Sequence, residues 1–113
     1  MADELSPEVD LLERLSAEDA SLHEAAFGSC WAFRDLAHAK RAVGVFVEAQ
    51  AVELYDGQSE AQLAIPFHSA RWIIQDDANW ETDAPYWLRL TRKGYNQFVE
   101  DSASFFERLF RKS

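Results

Sequence analysis

The three histidines and the single cysteine are the side chains best suited to metal binding or nucleophilic chemistry. None of His23, His38 and His68 has a ligand-type side chain three or four residues later, so no metal pair lies on one helix face. Cys30 alone excludes an intramolecular disulfide and cannot anchor a zinc site by itself. A Cys30 nucleophile with His23 or His38 as its base is one interpretation, and a small buried core residue is the commoner one.

An acidic segment places oxygen ligands at alternate positions, as the first half of an EF-hand calcium loop does. Starting from Asp77, position six is Thr82 where the loop requires Gly, and position twelve is Leu88 where it requires a bidentate Glu. We therefore interpret residues 76–85 as a polar loop with Trp80 packed on the core. With no nucleophile, phosphate loop or metal set, the sequence predicts no cofactor and no enzymatic activity.

The charge balance limits the classes of partner. The formal net charge is −9, from twenty acidic and eleven basic residues, and within residues 1–30 Arg14 is the only Lys or Arg. A negative field repels phosphates, so DNA binding would require a local basic face. We expect no membrane span, because no apolar run is long enough, and the single cysteine and acidic N-terminus favour a cytoplasmic protein.

Hydrophobic spacing predicts an α+β chain that is mostly helical and forms one domain over residues 1–113. A first helix opens at Ser6-Pro7, a short second one covers residues 21–27, and a third runs from Arg34 to about Gln50. Residues 16–19 resemble another helix start, and residues 43–47 are also compatible with a strand. Alternating residues predict two antiparallel strands near 52–55 and 86–90, and Pro66 is placed to open a fourth helical turn.

The last part of the sequence predicts a long C-terminal helix capped by Thr91. Aromatic and aliphatic residues recur along it at helical spacing from Tyr95 onward. Part of this stripe extends beyond what a small sheet can cover, so we predict a dimer face, with closure of the monomer core as the alternative. The residues of this face are Phe98, Phe105, Phe106, Leu109 and Phe110.

The element order and two short motifs resemble the winged helix-turn-helix family. Leu90-Thr-Arg-Lys-Gly94 is similar to the L-T-x-x-G with which many bacterial winged-helix repressors enter a C-terminal helix, and Glu53–Gly57 is similar to the strand after their recognition helix. The chain departs from the family at Ala51, where Gly is favoured, in the unusual residues 28–35, and in a much longer inter-strand segment. The resemblance implies a DNA or partner surface on the third helix and wing, comprising Arg34, His38, Lys40, Arg41, Arg89, Arg92 and Lys93.

Two functional hypotheses follow. The first is an acidic, non-enzymatic protein-interaction or regulatory module with a winged-helix-like shape, acting through a protein partner or as a homodimer. The second is a DNA-binding transcriptional regulator that uses the third helix and the wing. The net charge favours the first hypothesis, and the sequence identifies no specific partner, ligand or DNA site.

Overall fold

The computed structural model describes residues 7–27 and 35–96 of the chain. These residues form an α+β structure in which helices pack on a three-stranded antiparallel sheet. In chain order the elements are α1 (Pro7–Ala17), β1 (Ala20–Ser21), α2 (Leu22–Phe27), α3 (Leu36–Glu48), β2 (Val52–Asp56), α4 (Phe67–Gln75), a 3₁₀ helix (Asp77–Trp80) and β3 (Tyr86–Leu90). Residues 92–96 are again helical.

The sheet confirms the predicted antiparallel pairing and corrects the predicted number of strands. β3 lies in the centre, with β2 on one side and β1 on the other, so the two-stranded prediction was wrong. Leu88 is opposite Leu54 of β2 and Ala20 of β1, and all three side chains are fully buried. β1 is only two residues long, so it has no alternating pattern to read and is defined by its pairing with β3 alone.

Side-chain caps set where α2 and α3 begin. Ser21 and Glu24 form a reciprocal capping box, in which the Glu24 amide donates to Ser21 Oγ at 3.0 Å and the Ser21 amide donates to Glu24 Oε1 at 3.2 Å. Asp35 caps α3 by accepting a 2.9 Å hydrogen bond from the amide of His38. This cap places the start of α3 at Leu36, slightly later than the predicted start at Arg34.

The end of α3 connects directly to β2. Residues 43–47 are helical, which excludes the strand alternative for that segment. Gln50 has a φ of 66°, in the left-handed region, and the amide of Ala51 donates to the carbonyl of Phe46 at 3.0 Å. This closure resembles a Schellman motif with Gln in the position that Gly usually takes, and β2 begins at the next residue, Val52.

The hydrophobic core lies between the inner face of the sheet and the helices. Its buried side chains come from every named helix and strand: Leu11, Leu12, Leu15, Ala20, Leu22, Ala25, Ala39, Val43, Phe46, Val52, Leu54, Ala70, Ile74, Trp80 and Leu88. α4 belongs to the connection between β2 and β3 and packs against α3. As Pro66 predicted, the helix begins just after it, with Ala70 and Ile74 buried.

A helix begins after Thr91 as predicted, but the structure describes it only over residues 92–96 and does not confirm a long C-terminal helix. Thr91 caps it by accepting a 2.9 Å hydrogen bond from the amide of Gly94, and the Thr91 hydroxyl also lies 2.7 Å from the carbonyl of Gln50. The remainder of this helix, including the proposed dimer face Phe98, Phe105, Phe106, Leu109 and Phe110, lies outside the described residues. Among helices within residues 7–27 and 35–96, none is long and apolar enough to cross a membrane.

Candidate functional site

Two of the basic side chains predicted on α3, His38 and Lys40, are engaged in contacts within the domain. His38 Nε2 lies 2.9 Å from Glu8 Oε2 of α1, and only 16 % of either side chain is exposed. Lys40 Nζ donates to the carbonyl of Gln75 at 2.7 Å and also contacts the carboxylate of Asp77. Lys40 therefore joins α3 to the end of α4 and to the 3₁₀ helix.

The predicted wing arginine is also paired. Arg89 Nη2 lies 3.2 Å from Glu53 Oε1 of the neighbouring strand and donates to the carbonyl of Gln62 at 3.1 Å. Its guanidinium carbon lies 4.5 Å from the ring centroid of Tyr55. The cross-strand partner of Arg89 is Glu53, so opposite charges face each other on one side of the sheet.

Tyr55 extends this cluster beneath Arg89. The Tyr55 hydroxyl donates a 2.6 Å hydrogen bond to Asp19 Oδ2. Burial, together with the hydrogen bond and the negative charge of Asp19, raises the pKa of Tyr55 to about 12, while the positive charge of Arg89 opposes this shift. The phenol is therefore neutral at ordinary pH and serves as a donor that orders the carboxylate.

Three other predicted basic residues differ from His38, Lys40 and Arg89. Arg41, Arg92 and Lys93 are exposed, and none of them has a salt-bridge partner among the residues that the structure describes. Arg92 follows β3 beside a cavity that Leu15 also lines, whereas Arg41 lies midway along α3. Arg34, the remaining predicted contact residue, lies outside the described ranges.

A groove between α3 and α4 is the second feature of this surface. The cavity has a volume of about 450 Å³. Arg41, Gly44 and Val45 form part of its α3 wall, and Phe67, Arg71 and Ile74 form part of its α4 wall. Hydrophobic spacing identified the inner face of α4, but it could not show that the two helices separate enough to leave a groove.

The acidic segment after α4, which was compared with an EF-hand calcium loop, contributes to the packing of the domain. Residues 77–80 form a 3₁₀ helix, where the sequence predicted a loop. Trp80 is 1 % exposed, which confirms its predicted packing on the core, and its Nε1 donates to the carbonyl of Ile74 at 2.8 Å. The Asp76 carboxylate caps this turn by accepting from the amide of Ala78.

The histidines first considered for chemistry do not form a metal site within the described residues. His23 Nδ1 is 3.1 Å from the carbonyl of Trp80, and His68 is exposed on α4. Across residues 7–27 and 35–96, no three His, Cys, Asp or Glu side chains are grouped so that they could hold a metal ion. Cys30 lies outside these ranges.

Sequence reasoning missed the contact between Tyr55 and Asp19 and the exposed α4 face. The first joins residues far apart in sequence, so no local pattern announces it. The second had a signal, because His68, Arg71 and Trp72 have the i, i+3, i+4 spacing of one helix face.

Comparison of the chain with protein-family models, curated proteins and solved structures finds no match. Its function must therefore be inferred from its own geometry.

Proposed function

We propose that this chain is a non-enzymatic regulatory module of winged-helix-like architecture that acts by binding another protein. The observation that carries this proposal is the internal pairing of three of the basic side chains that the family resemblance directs toward DNA. His38 is hydrogen-bonded to Glu8, and Lys40 and Arg89 form ion pairs with Asp77 and Glu53. These paired residues lie on both the third helix and the predicted wing.

The element order supports the architectural part of the proposal. Three helices precede β2, a connection leads to the antiparallel strand β3, and a helix follows Thr91. The short β1 between α1 and α2 completes a sheet with β3 in the centre. The insertion of α4 between β2 and β3 is the main departure, because a simple wing has only a loop there.

Electrostatics support protein binding over DNA binding. A cation that neutralises a phosphate gains affinity by releasing counterions from DNA. Lys40 and Arg89 would first have to leave the carboxylates of Asp77 and Glu53, and those carboxylates would then face the phosphates. With a net charge of −9, the long-range field adds a further penalty.

DNA binding is the second candidate, and one observation favours it. Arg41, Arg92 and Lys93 remain exposed on the third helix and directly after β3, which are the positions where winged-helix proteins contact phosphates. Under this hypothesis, reversing the charge of Arg92 and Lys93 would remove a large share of the binding.

Affinity purification from the cells in which the chain is native distinguishes the two candidates. The full-length chain carries a small tag, and each preparation is divided into nuclease-treated and untreated halves. We expect at least one protein to be retained in amounts comparable with the tagged chain, in both halves. We also expect an Arg92→Glu, Lys93→Glu variant to retain it. Loss of the partner after nuclease treatment, or retention of no protein at all, would contradict the proposal.

Homodimerisation and a cytoplasmic location belong to the proposal as well. The first depends on the aromatic stripe predicted beyond Tyr95, and its test is the solution mass of the full chain. A monomeric mass across a wide concentration range, or no change after Phe105→Glu and Phe106→Glu in a dimeric chain, would remove that part of the proposal. The location is tested by fractionating cells that express the tagged chain.

A further inference from the structure

The groove between α3 and α4 has the properties of a docking site. One wall contains Val45 and the other contains Phe67 and Ile74, so apolar atoms are present on both sides. Its volume of about 450 Å³ lies within the roughly 300–1,000 Å³ of typical ligand clefts. Trp72 lies on the exposed face of α4 outside the groove lining and is 63 % exposed, and the Arg71 guanidinium carbon lies 5.1 Å from its ring centroid.

Gly44 keeps the α3 wall low. It lies in the interior of α3, where Gly is disfavoured relative to Ala. A Cβ atom built on Gly44 would meet nothing within 4 Å, so no packing contact requires the missing side chain. What the glycine preserves at this point is open space between the helices.

The charges around the groove have a small positive balance, in contrast to the negative net charge of the whole chain. Arg41 on α3 and Arg71 on α4 are both exposed and line opposite walls. α4 contains no acidic residue, whereas Glu48, the only acid within α3, is exposed and also lines the groove. Asp77, near the groove, is neutralised by Lys40. Arg41 and Arg71 outnumber Glu48 in the groove lining, which leaves a small positive balance there on a protein with a net charge of −9.

We infer that this groove binds an acidic amphipathic helix of a partner protein. The apolar stripe of that helix packs between Val45 and Phe67, and carboxylates on its flanks pair with Arg41 and Arg71. Helix-in-groove docking uses apolar anchors at i, i+3 or i+4 and i+7, and complementary charge at the rim increases the association rate and the specificity. Nucleic acid fits less well, because phosphates gain nothing from the apolar walls. This inference rests on the proposed protein-binding function and gives it a site and a partner chemistry.

Synthetic helical peptides test the inference on the full chain. Three peptides share one leucine stripe and differ only in their flanking residues, which are Glu, Gln or Lys, and a fourth keeps Glu but replaces the leucines by Ser. We expect the Glu–Leu peptide to bind about tenfold or more tightly than the Lys–Leu peptide and more tightly than the Ser peptide. Amide and indole chemical-shift changes should map to α3, α4 and Trp72, and added salt should weaken binding.

Matched variants locate the site. Gly44→Trp fills the groove and should abolish binding of the Glu–Leu peptide, whereas Gly44→Ala should retain most of it. Arg71→Glu should weaken binding about tenfold or more, whereas Arg92→Glu, the same charge change elsewhere, should not. Each variant is first compared with the wild type by thermal unfolding, and Arg71→Glu keeps the test decisive if Gly44→Trp fails to fold.

Several results would overturn the inference. They are equal binding of all the peptides, no binding, shifts that map outside α3 and α4, and equal losses from Arg71→Glu and Arg92→Glu. The same groove shifts on adding mixed-sequence duplex DNA would assign the site to nucleic acid, and shifts that depend on protein concentration alone would assign it to a second copy. If a cellular partner is retained equally by Gly44→Trp and the wild type, the groove is wrong while the proposed function stands.

Discussion

At the scale of single residues, a tyrosine and an aspartate 36 positions apart in the sequence form a polar contact between separate segments. Tyr55 lies on β2 and Asp19 lies between α1 and β1, yet their side chains are joined by a 2.6 Å hydrogen bond. Arg89 covers the ring, and Glu53 balances the charge of Arg89. This cluster pins the entry to β1 against the sheet, which explains how so short a strand is held in register.

The raised pKa of Tyr55 makes this contact dependent on pH at the alkaline end. The folded-state pKa of about 12 lies above the ordinary value of 10.0. The stabilisation is therefore complete below pH 10.0 and is lost as the pH rises toward 12. We expect the difference in unfolding free energy between the wild type and Tyr55→Phe to shrink over this range in denaturant titrations. A difference that stays constant would contradict the assignment.

The unfolding free energy should change in opposite directions when a methyl group is added to Gly44 and to Gly94. Gly44→Ala should raise the unfolding free energy by roughly 0.5–1 kcal/mol, because the helix gains a better residue and the space is open. Gly94→Ala should lower it, because a Cβ there would overlap the carbonyl group of Ala51. Chemical denaturation of both variants measures the two effects. Equal signs would show that the packing around one of them is wrong.

At the scale of elements, the sequence predicted those that carry a repeating pattern. The apolar spacing of α3 and α4 and the alternation around Leu88 identified buried faces that the structure confirms. β1 was not predicted because two residues are too few to show a repeating pattern. The capping box of Ser21 and Glu24 is a local signal for the start of α2 that the prediction did not use.

The candidate site was less predictable than the elements. Helical spacing located Arg41 correctly on an exposed face, but it could not show that Lys40 reaches the end of α4 or that Arg89 pairs across the sheet with Glu53. Those contacts depend on tertiary packing between segments that are far apart in sequence. The groove is a property of two helices together, so neither pattern alone contains it.

The 3₁₀ helix contributes to stability through one large side chain. Trp80 is almost completely buried, and its indole satisfies the carbonyl at the end of α4. We expect Trp80→Ala to lower the unfolding free energy by about 3–5 kcal/mol. Trp72→Ala is the matched control, because that side chain is mostly exposed and should change stability by less than about 0.5 kcal/mol. Similar losses of unfolding free energy in both variants would contradict the assignment of Trp80, and not Trp72, to the core.

At the scale of the whole molecule, position in the fold decides what each charge does. The acids outnumber the bases, and His38, Lys40 and Arg89 each face a carboxylate in the folded domain. Isolated surface pairs contribute little to stability, about 0–1 kcal/mol each. Their consequence is electrostatic, because the ion pairs of Lys40 and Arg89 hide positive charge from a polyanion and leave Arg41 and Arg71 as exposed cations at the α3–α4 groove.

A DNA titration tests this central claim most directly. Fluorescence anisotropy of a labelled mixed-sequence duplex is followed with the full chain at about 50 mM salt, where phosphate attraction is strong. The internal pairing of the cations predicts no saturable binding. Saturable binding that weakens steeply with added salt, and that is reduced by Arg41→Glu or by Arg92→Glu, would contradict the account and establish the DNA-binding alternative.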